Sequence, residues 1–184
     1  MKKILPLLFF LLAFTTYGQD KNNYVGFNKI TDLQGTDYVI VSVNTYSKLY
    51  MEGRYLLFIN TRTGESREAG FPEDAHLGAI EQLKLDSLQI NKIIVSGRTK
   101  DVDGKKGIDW NDPQQLIIMS TDGKEKTQIT DDSFFISTWE LNKQTGVIVI
   151  TGHYDSNKNE KYDKTDKHEI QLYDLKTMKM QSRL

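Results

Sequence analysis

Short β-branched runs recur along the chain at a fixed interval. Tyr38 to Val43 reads as a buried strand, and the runs Ile93-Ile94-Val95 and Val147-Ile148-Val149-Ile150 repeat it. Val39, Ile93 and Val147 stand at equal intervals. Even spacing on this scale marks a repeat architecture.

The remaining strands fall on the same ruler. Each central run is preceded by another strand, at Tyr24 to Ile30, Ala79 to Leu85 and Phe134 to Leu141. Each is followed by a second strand, at Tyr55 to Asn60, Leu116 to Ser120 and Ile170 to Tyr173. Turns come next at Thr63-Gly64 and Asp122-Gly123, where glycine supplies a positive φ. The third copy has the less regular Thr177-Met178. Short polar strands close the units at Glu65 to Glu68, Lys126 to Thr130 and Met180 to Leu184. Leu77, Ile80 and Leu83 also have helical spacing, but Ile80 to Leu85 corresponds to the clearly β stretch Phe134 to Leu141, so a strand is predicted.

The pattern predicts an all-β chain of three four-stranded, propeller-like blades, with units over 24–76, 77–133 and 134–184. Propellers have four to eight blades. Three imply an open wedge or a ring of six closed by two chains, and a flat β-sandwich of the same strands is the alternative. Apolar faces on the terminal blades favour a homodimer.

The amino terminus reads differently. Lys2 and Lys3 precede an apolar run from Ile4 to Phe14, then Thr15, Thr16, Tyr17, Gly18 and Gln19. This is the layout of a secretory signal peptide over residues 1–18, too short to span a bilayer. Cleavage next to Gly18 or Gln19 leaves a single β-repeat domain over 19–184, secreted or periplasmic, without stable membrane insertion. The chain has no cysteine, which excludes disulfides and lipid attachment at a cleavage-site cysteine. Loss of Lys2 and Lys3 takes the formal charge from −1 to −3. Mild acidity argues against nucleic acid and anionic membranes as main partners.

Candidate chemistry lies in two long hairpin loops. In the third unit Asp155, Asn157, Asn159, Asp163 and Asp166 place oxygen side chains at the spacing of a calcium loop, with the Lys161 carbonyl as a further ligand. Glu160 stands where such loops use glycine for the sharp turn. A weaker copy upstream carries Asp101, Asp103, Asp109 and Asp112, with the cationic Lys105 at a ligand position. Asp101 and Asp155, Asp109 and Asp163, and Asp112 and Asp166 are each separated by the same interval as Ile93 and Val147. A structural calcium ion is therefore expected, first in the third loop. Lysine-neutralised, metal-free turn acids are the alternative.

The run Asp101 to Pro113, followed by Leu116 to Gly123 and Gln128-Ile129-Thr130, resembles the repeats of TolB-like, WD40-like propeller proteins. The Asp155 to Asp166 loop resembles calcium loops in hairpins of integrin-type propellers. The resemblance implies a binding scaffold at the envelope or outside the cell, without a reaction.

Enzyme signatures are few. There is no Gly-x-Ser-x-Gly elbow, no cysteine nucleophile and no phosphate-binding glycine loop before a helix. His153 and His168 flank the third loop and with Asp155 could form a transition-metal site, but no His-x-x-x-His spacing supports it. Asp109 with Asp112 could act as a glycosidase pair, although their charged loop reads better as solvated turn acids. Trp110, in a polar loop, could join Tyr154 and Tyr162 in an aromatic face for sugar or peptide. Trp139 alternates with Phe135, Ser137 and Leu141 and reads as core. The sequence points to a non-catalytic binding or assembly module with a protein or glycan partner. An envelope hydrolase using the acidic loops and His153 is the alternative.

Overall fold

The structure is a computed structural model that describes residues 24–46, 51–105, 107–159 and 162–184. The signal-peptide segment, Lys161 and Glu160 lie outside the described residues. The chain is all-β. Three antiparallel meanders follow one another: β1 (Tyr24–Asp32), β2 (Tyr38–Tyr46), β3 (Met51–Asn60) and β4 (Ser66–Gly70); β5 (His76–Leu85), β6 (Ile90–Arg98), β7 (Gln115–Ser120) and β8 (Lys126–Gln128); β9 (Phe134–Asn142), β10 (Val147–Tyr154), β11 (Lys167–Asp174) and β12 (Lys179–Arg183). One short 3-10 turn, Asp86–Leu88, joins β5 to β6. Among the described residues no helix is long and apolar enough to cross a membrane.

Residues 76–85, which also carry helical spacing, form strand β5, and His76 opens the second sheet. Gly64 and Gly123 take φ of 77° and 71° in the turns after β3 and β7, where a side chain would be strained. In the third sheet the non-glycine Met178 adopts φ 54° instead, and Asp174 secures that turn by accepting the Lys176 and Thr177 N–H groups. This explains why the third turn looks irregular in sequence.

The three sheets stack, and the second is the middle layer. Ile93, Val95, Ile117 and Met119 on one of its faces pack with Leu33, Ile40, Leu56 and Phe58 of the first sheet. Ile94, Leu116 and Ile118 on its other face pack with Phe134, Leu141, Ile148, Ile150 and Tyr173 of the third. A sheet covered on both faces needs apolar residues at consecutive positions, hence the unbroken runs in β6 and β7. Each fully buried Ile, Leu or Phe contributes roughly 1.5–3 kcal/mol. The outermost strands β4, β8 and β12 expose most of their residues and read as polar.

The repeat interval is not strictly constant. Ile40 and Ile94, one interval apart, both point from their own sheet towards the next. In the third sheet Ile148, not Val147, takes the place of Ile93 and faces the sheet before it. The second step between central strands is thus longer than the first by a single position. The close-packed glycines at their ends, Gly97 and Gly152, share this longer step. Gly97 pairs with Gln115, and Gly152 with Glu169, so the third hairpin is one residue shorter than the second. That one residue matters because a slip of one in a strand exchanges its two faces.

Candidate functional site

The two long hairpin loops, 99–114 between β6 and β7 and 155–166 between β10 and β11, are built on buried aspartates. Asp112, 3% exposed, accepts the Val102 N–H at 2.7 Å on one carboxylate oxygen and the Asp109 N–H at 2.8 Å on the other. Asp166, 5% exposed, accepts the Ser156 N–H at 3.2 Å and the Asp163 N–H at 2.8 Å in the same way. Irregular loops cannot pair their amides in a ladder, and a buried amide left without an acceptor is costly. A short acidic side chain at this point supplies two acceptors at once.

The rest of the second loop is tied down by smaller turns. Asp101 accepts the Gly104 N–H at 2.6 Å, Asp103 the Lys105 N–H at 2.9 Å, and Asp109 the Asn111 N–H at 2.7 Å. At its base, the fully buried Gln115 accepts from the Thr99 backbone and hydroxyl and donates to the Pro113 carbonyl. Asp74, from the connection between β4 and β5, accepts the Ile108 N–H at 2.8 Å. Gly107 (φ 79°) lies against the same carboxylate: a Cβ there would come within 2.6 Å of it. Asp74 has no counterpart in the repeat pattern, and no sequence signal connects it to this loop.

The second loop, the weaker of the two by sequence, is where carboxylates gather. One oxygen each from Asp101, Asp103 and Asp112 lies within 4.8 Å of the others. Calcium takes oxygen ligands at about 2.3–2.6 Å, so three oxygens this close fit around one ion. The charge of Lys105 opposes this, with its ammonium 3.7 Å from Asp103. Asp109 lies outside the trio and serves the turn at Asn111.

In the third loop, amides stand beside the carboxylates. Asn157 and Asn159 each donate a side-chain N–H to Asp163, at 3.0 and 2.8 Å. Thr165 donates both its hydroxyl and its backbone N–H to Asp163, at 2.6 and 2.7 Å. These donors, Thr165 first, hold the Asp163 carboxyl well below the usual carboxylate range. Asp155 accepts the Asn159 N–H at 3.2 Å. The loop satisfies its acids internally, through amides that replace Asp103 and Lys105 of the second loop.

The two loops frame a shared cleft of about 470 Å³. Val102, Asp103, Asn111, Asp112 and Pro113 line one side, and Ser133, Phe135, Tyr154, Asp155 and Lys158 the other. Tyr154 donates its hydroxyl to Asp131 at 2.6 Å, and burial together with that carboxylate pushes its phenol up to about 12. Arg183 of the last strand pairs with Asp131 at 3.0 Å and lies 3.6 Å from the buried Glu169. Glu169 also pairs with Lys167 at 2.9 Å and accepts from Gln171. This network fixes the cleft wall to the third sheet. Asp131 is a residue that motif reading overlooks, because its partners Tyr154 and Arg183 lie far along the chain. Glu169 is missed because it sits in an ordinary strand among Lys167, Gln171 and Arg183.

Trp110 is exposed and Trp139 packs inward, as their patterns predict. Trp110 meets His76 and Arg98, however, whereas Tyr154 packs on Phe134 and Tyr162 on His153 and His168. Trp110 is 73% exposed and lies on the cross-strand pair His76 and Arg98, stacking on His76 at 5.3 Å with the guanidinium 4.9 Å from its ring centre. Trp139 packs half-buried against the core between the second and third sheets. His153 and His168 are direct cross-strand partners in β10 and β11. Searches of protein families, curated proteins and solved structures find no match to this chain.

Proposed function

We propose that the protein is a non-catalytic binding or assembly module of the cell envelope or exterior, which receives a protein or glycan partner in the cleft between its two long loops. The observation that carries this reading is the cleft itself. Two loops anchored from within by Asp112 and Asp166 enclose an apolar floor at Phe135 and Tyr154 with Asp103, Asp155 and Lys158 beside it. Recognition sites combine such apolar surface with a few fixed polar groups. The carboxylates nearby are committed to backbone amides, which suits a rigid binding surface better than acid–base chemistry.

Calcium belongs to the same reading. Asp101, Asp103 and Asp112 would hold it, and the ion would relieve repulsion among three carboxylates and stiffen one wall of the cleft. The exported address rests on Lys2, Lys3 and the apolar run to Phe14. Self-association of two chains is part of the proposal as well. Strand β1 is one of the two edge strands of its sheet, opposite β4, and exposes Tyr24, Phe27 and Ile30. An exposed apolar edge strand invites pairing with a second copy.

The test is capture of a partner by the immobilised mature protein from a panel of cell-surface glycans and exported proteins. The bound partner should elute chemically unchanged, and Val102→Arg and Lys158→Glu, which alter the cleft without touching its anchors, should abolish retention. Turnover of a glycan or phosphoester that disappears in Asp109→Asn or His153→Ala would sink this reading in favour of a hydrolase.

A further inference from the structure

His153 and His168 lie opposite each other on β10 and β11 with ring centres 6.1 Å apart. Tyr162, returning from the loop tip, closes over them. Its ring centre is 4.7 Å from that of His153 and 5.5 Å from that of His168. Its hydroxyl stands 3.4 Å from His168 Nε2, beyond the ordinary range for a hydrogen bond between these atoms. Phe135 stacks on the other side of His153 at 5.2 Å and fixes that ring.

We propose that His153, His168 and Tyr162 form a surface site for a divalent transition-metal ion. A tetrahedral ion with metal–nitrogen and metal–oxygen bonds of about 2.0–2.2 Å holds neighbouring ligand atoms roughly 3.3–3.5 Å apart. The hydroxyl and Nε2 already have that separation. Two imidazoles on one tetrahedral ion hold their ring centres roughly 5.2 Å apart, so the rings, now 6.1 Å apart, close by about 1 Å through side-chain rotation on binding. The histidines are carried by rigid, hydrogen-bonded strands, so little ordering is needed on binding. Imidazole and phenol donors select copper(II), nickel or zinc over calcium or magnesium. On binding, the phenol releases its proton to solvent, and the exposed side of Tyr162 leaves a position for water.

The site is separate from the Asp101, Asp103 and Asp112 cluster, so a failure of either leaves the other standing. Zinc and copper(II) titrations of the mature protein test it, by calorimetry and by competition with a chromophoric chelator. One equivalent should bind, undisturbed by a roughly 100-fold excess of calcium. His153→Gln and His168→Gln should each weaken binding by about tenfold or more. His76→Gln, a histidine in another sheet, should change nothing. Tyr162→Phe should weaken binding and remove the visible phenolate-to-copper absorption band. Circular dichroism of the metal-free variants checks that the fold is intact. Absence of saturable one-to-one binding, or binding that survives loss of both His153 and His168, would overturn the site. Equal loss in His76→Gln would overturn it as well. An unchanged affinity and spectrum in Tyr162→Phe would overturn the assignment of the phenol.

Discussion

Asp112 and Asp166 occupy equivalent places in successive repeats and hold their loops by the same two hydrogen bonds. Each takes one N–H from the residue 10 positions before it and one from the residue 3 before it. The donors, Val102 and Ser156, then Asp109 and Asp163, are separated by the same interval as the two acceptors. The repeat therefore extends from the strands into loops that differ in almost every other side chain.

Removing these acceptors should cost stability in proportion to the quality of the bonds. Asp112→Ala orphans two half-buried amides and should destabilise by about 1–3 kcal/mol, with Asp112→Asn closer to half of that. Asp166→Ala should cost less, because one of its bonds is 3.2 Å long. Chemical denaturation of the three variants gives the ranking. Equal, negligible effects would show that the loops do not depend on these caps.

Glycine is needed at position 152 for space and at 64 for conformation. A Cβ on Gly152 would collide with the Phe135 carbonyl and come within 2.6 Å of the Phe134 ring, and backbone cannot step aside. Gly152→Ala should cost about 3 kcal/mol or prevent folding. Gly64 has φ 77° and nothing within 4 Å of an added Cβ, so Gly64→Ala should cost only about 1 kcal/mol. Thermal unfolding of the pair separates the two causes.

Calcium should raise the unfolding midpoint by several degrees at about 100 times its dissociation constant, and a chelator should reverse it. Asp103→Asn should abolish that increment, and the metal-free stability should shift by under about 1 kcal/mol, since lost pairing with Lys105 and relieved repulsion with Asp101 and Asp112 oppose each other. Asp163→Ala should lower the midpoint with or without calcium, since its carboxylate is already bonded to Thr165, Asn157 and Asn159. A calcium-independent midpoint in the unmodified protein would end the calcium reading.

Acid should act through Asp122. Burial pushes its carboxyl up, but hydrogen bonds from the Lys124 side chain, the Ser120 hydroxyl and the Lys124 backbone outweigh it and hold it at about 2. A folded pKa below the unfolded value means stability that is present above about pH 4 and lost as pH falls towards 2, at most about 2 kcal/mol. Asp163, also held low, acts in the same direction. Asp122→Asn should lower stability at neutral pH and flatten the acid limb of a stability–pH curve. An unchanged slope below pH 4 would count against this assignment.

Much of the architecture was legible from spacing. Alternating and continuous apolar runs mark the strands of all three sheets because strand side chains alternate faces and the middle sheet is covered on both. Gly64 and Gly123 mark two turns because few other residues tolerate their φ. The acidic loops announce themselves because buried caps at Asp112 and Asp166 require a short side chain with two acceptors.

Other features depended on the fold in three dimensions. A constant repeat interval places Val147 with Ile93, yet Ile148 takes that place, and a shift of one residue exchanges the faces of a strand. The spacing of acids ranks the third loop first, but the carboxylates converge in the second, because Asn157 and Asn159 turn their amide donors onto Asp163. Asp74 reaches Ile108 and Arg183 reaches Asp131 through pairings remote along the chain, whereas the meeting of His153 and His168 across their hairpin was legible from sequence. Local sequence determined which segments become strands, turns and long loops, because those choices depend on side-chain period and backbone φ. Which side chains face one another was decided only by register and sheet stacking, where a shift of one residue changes every neighbour.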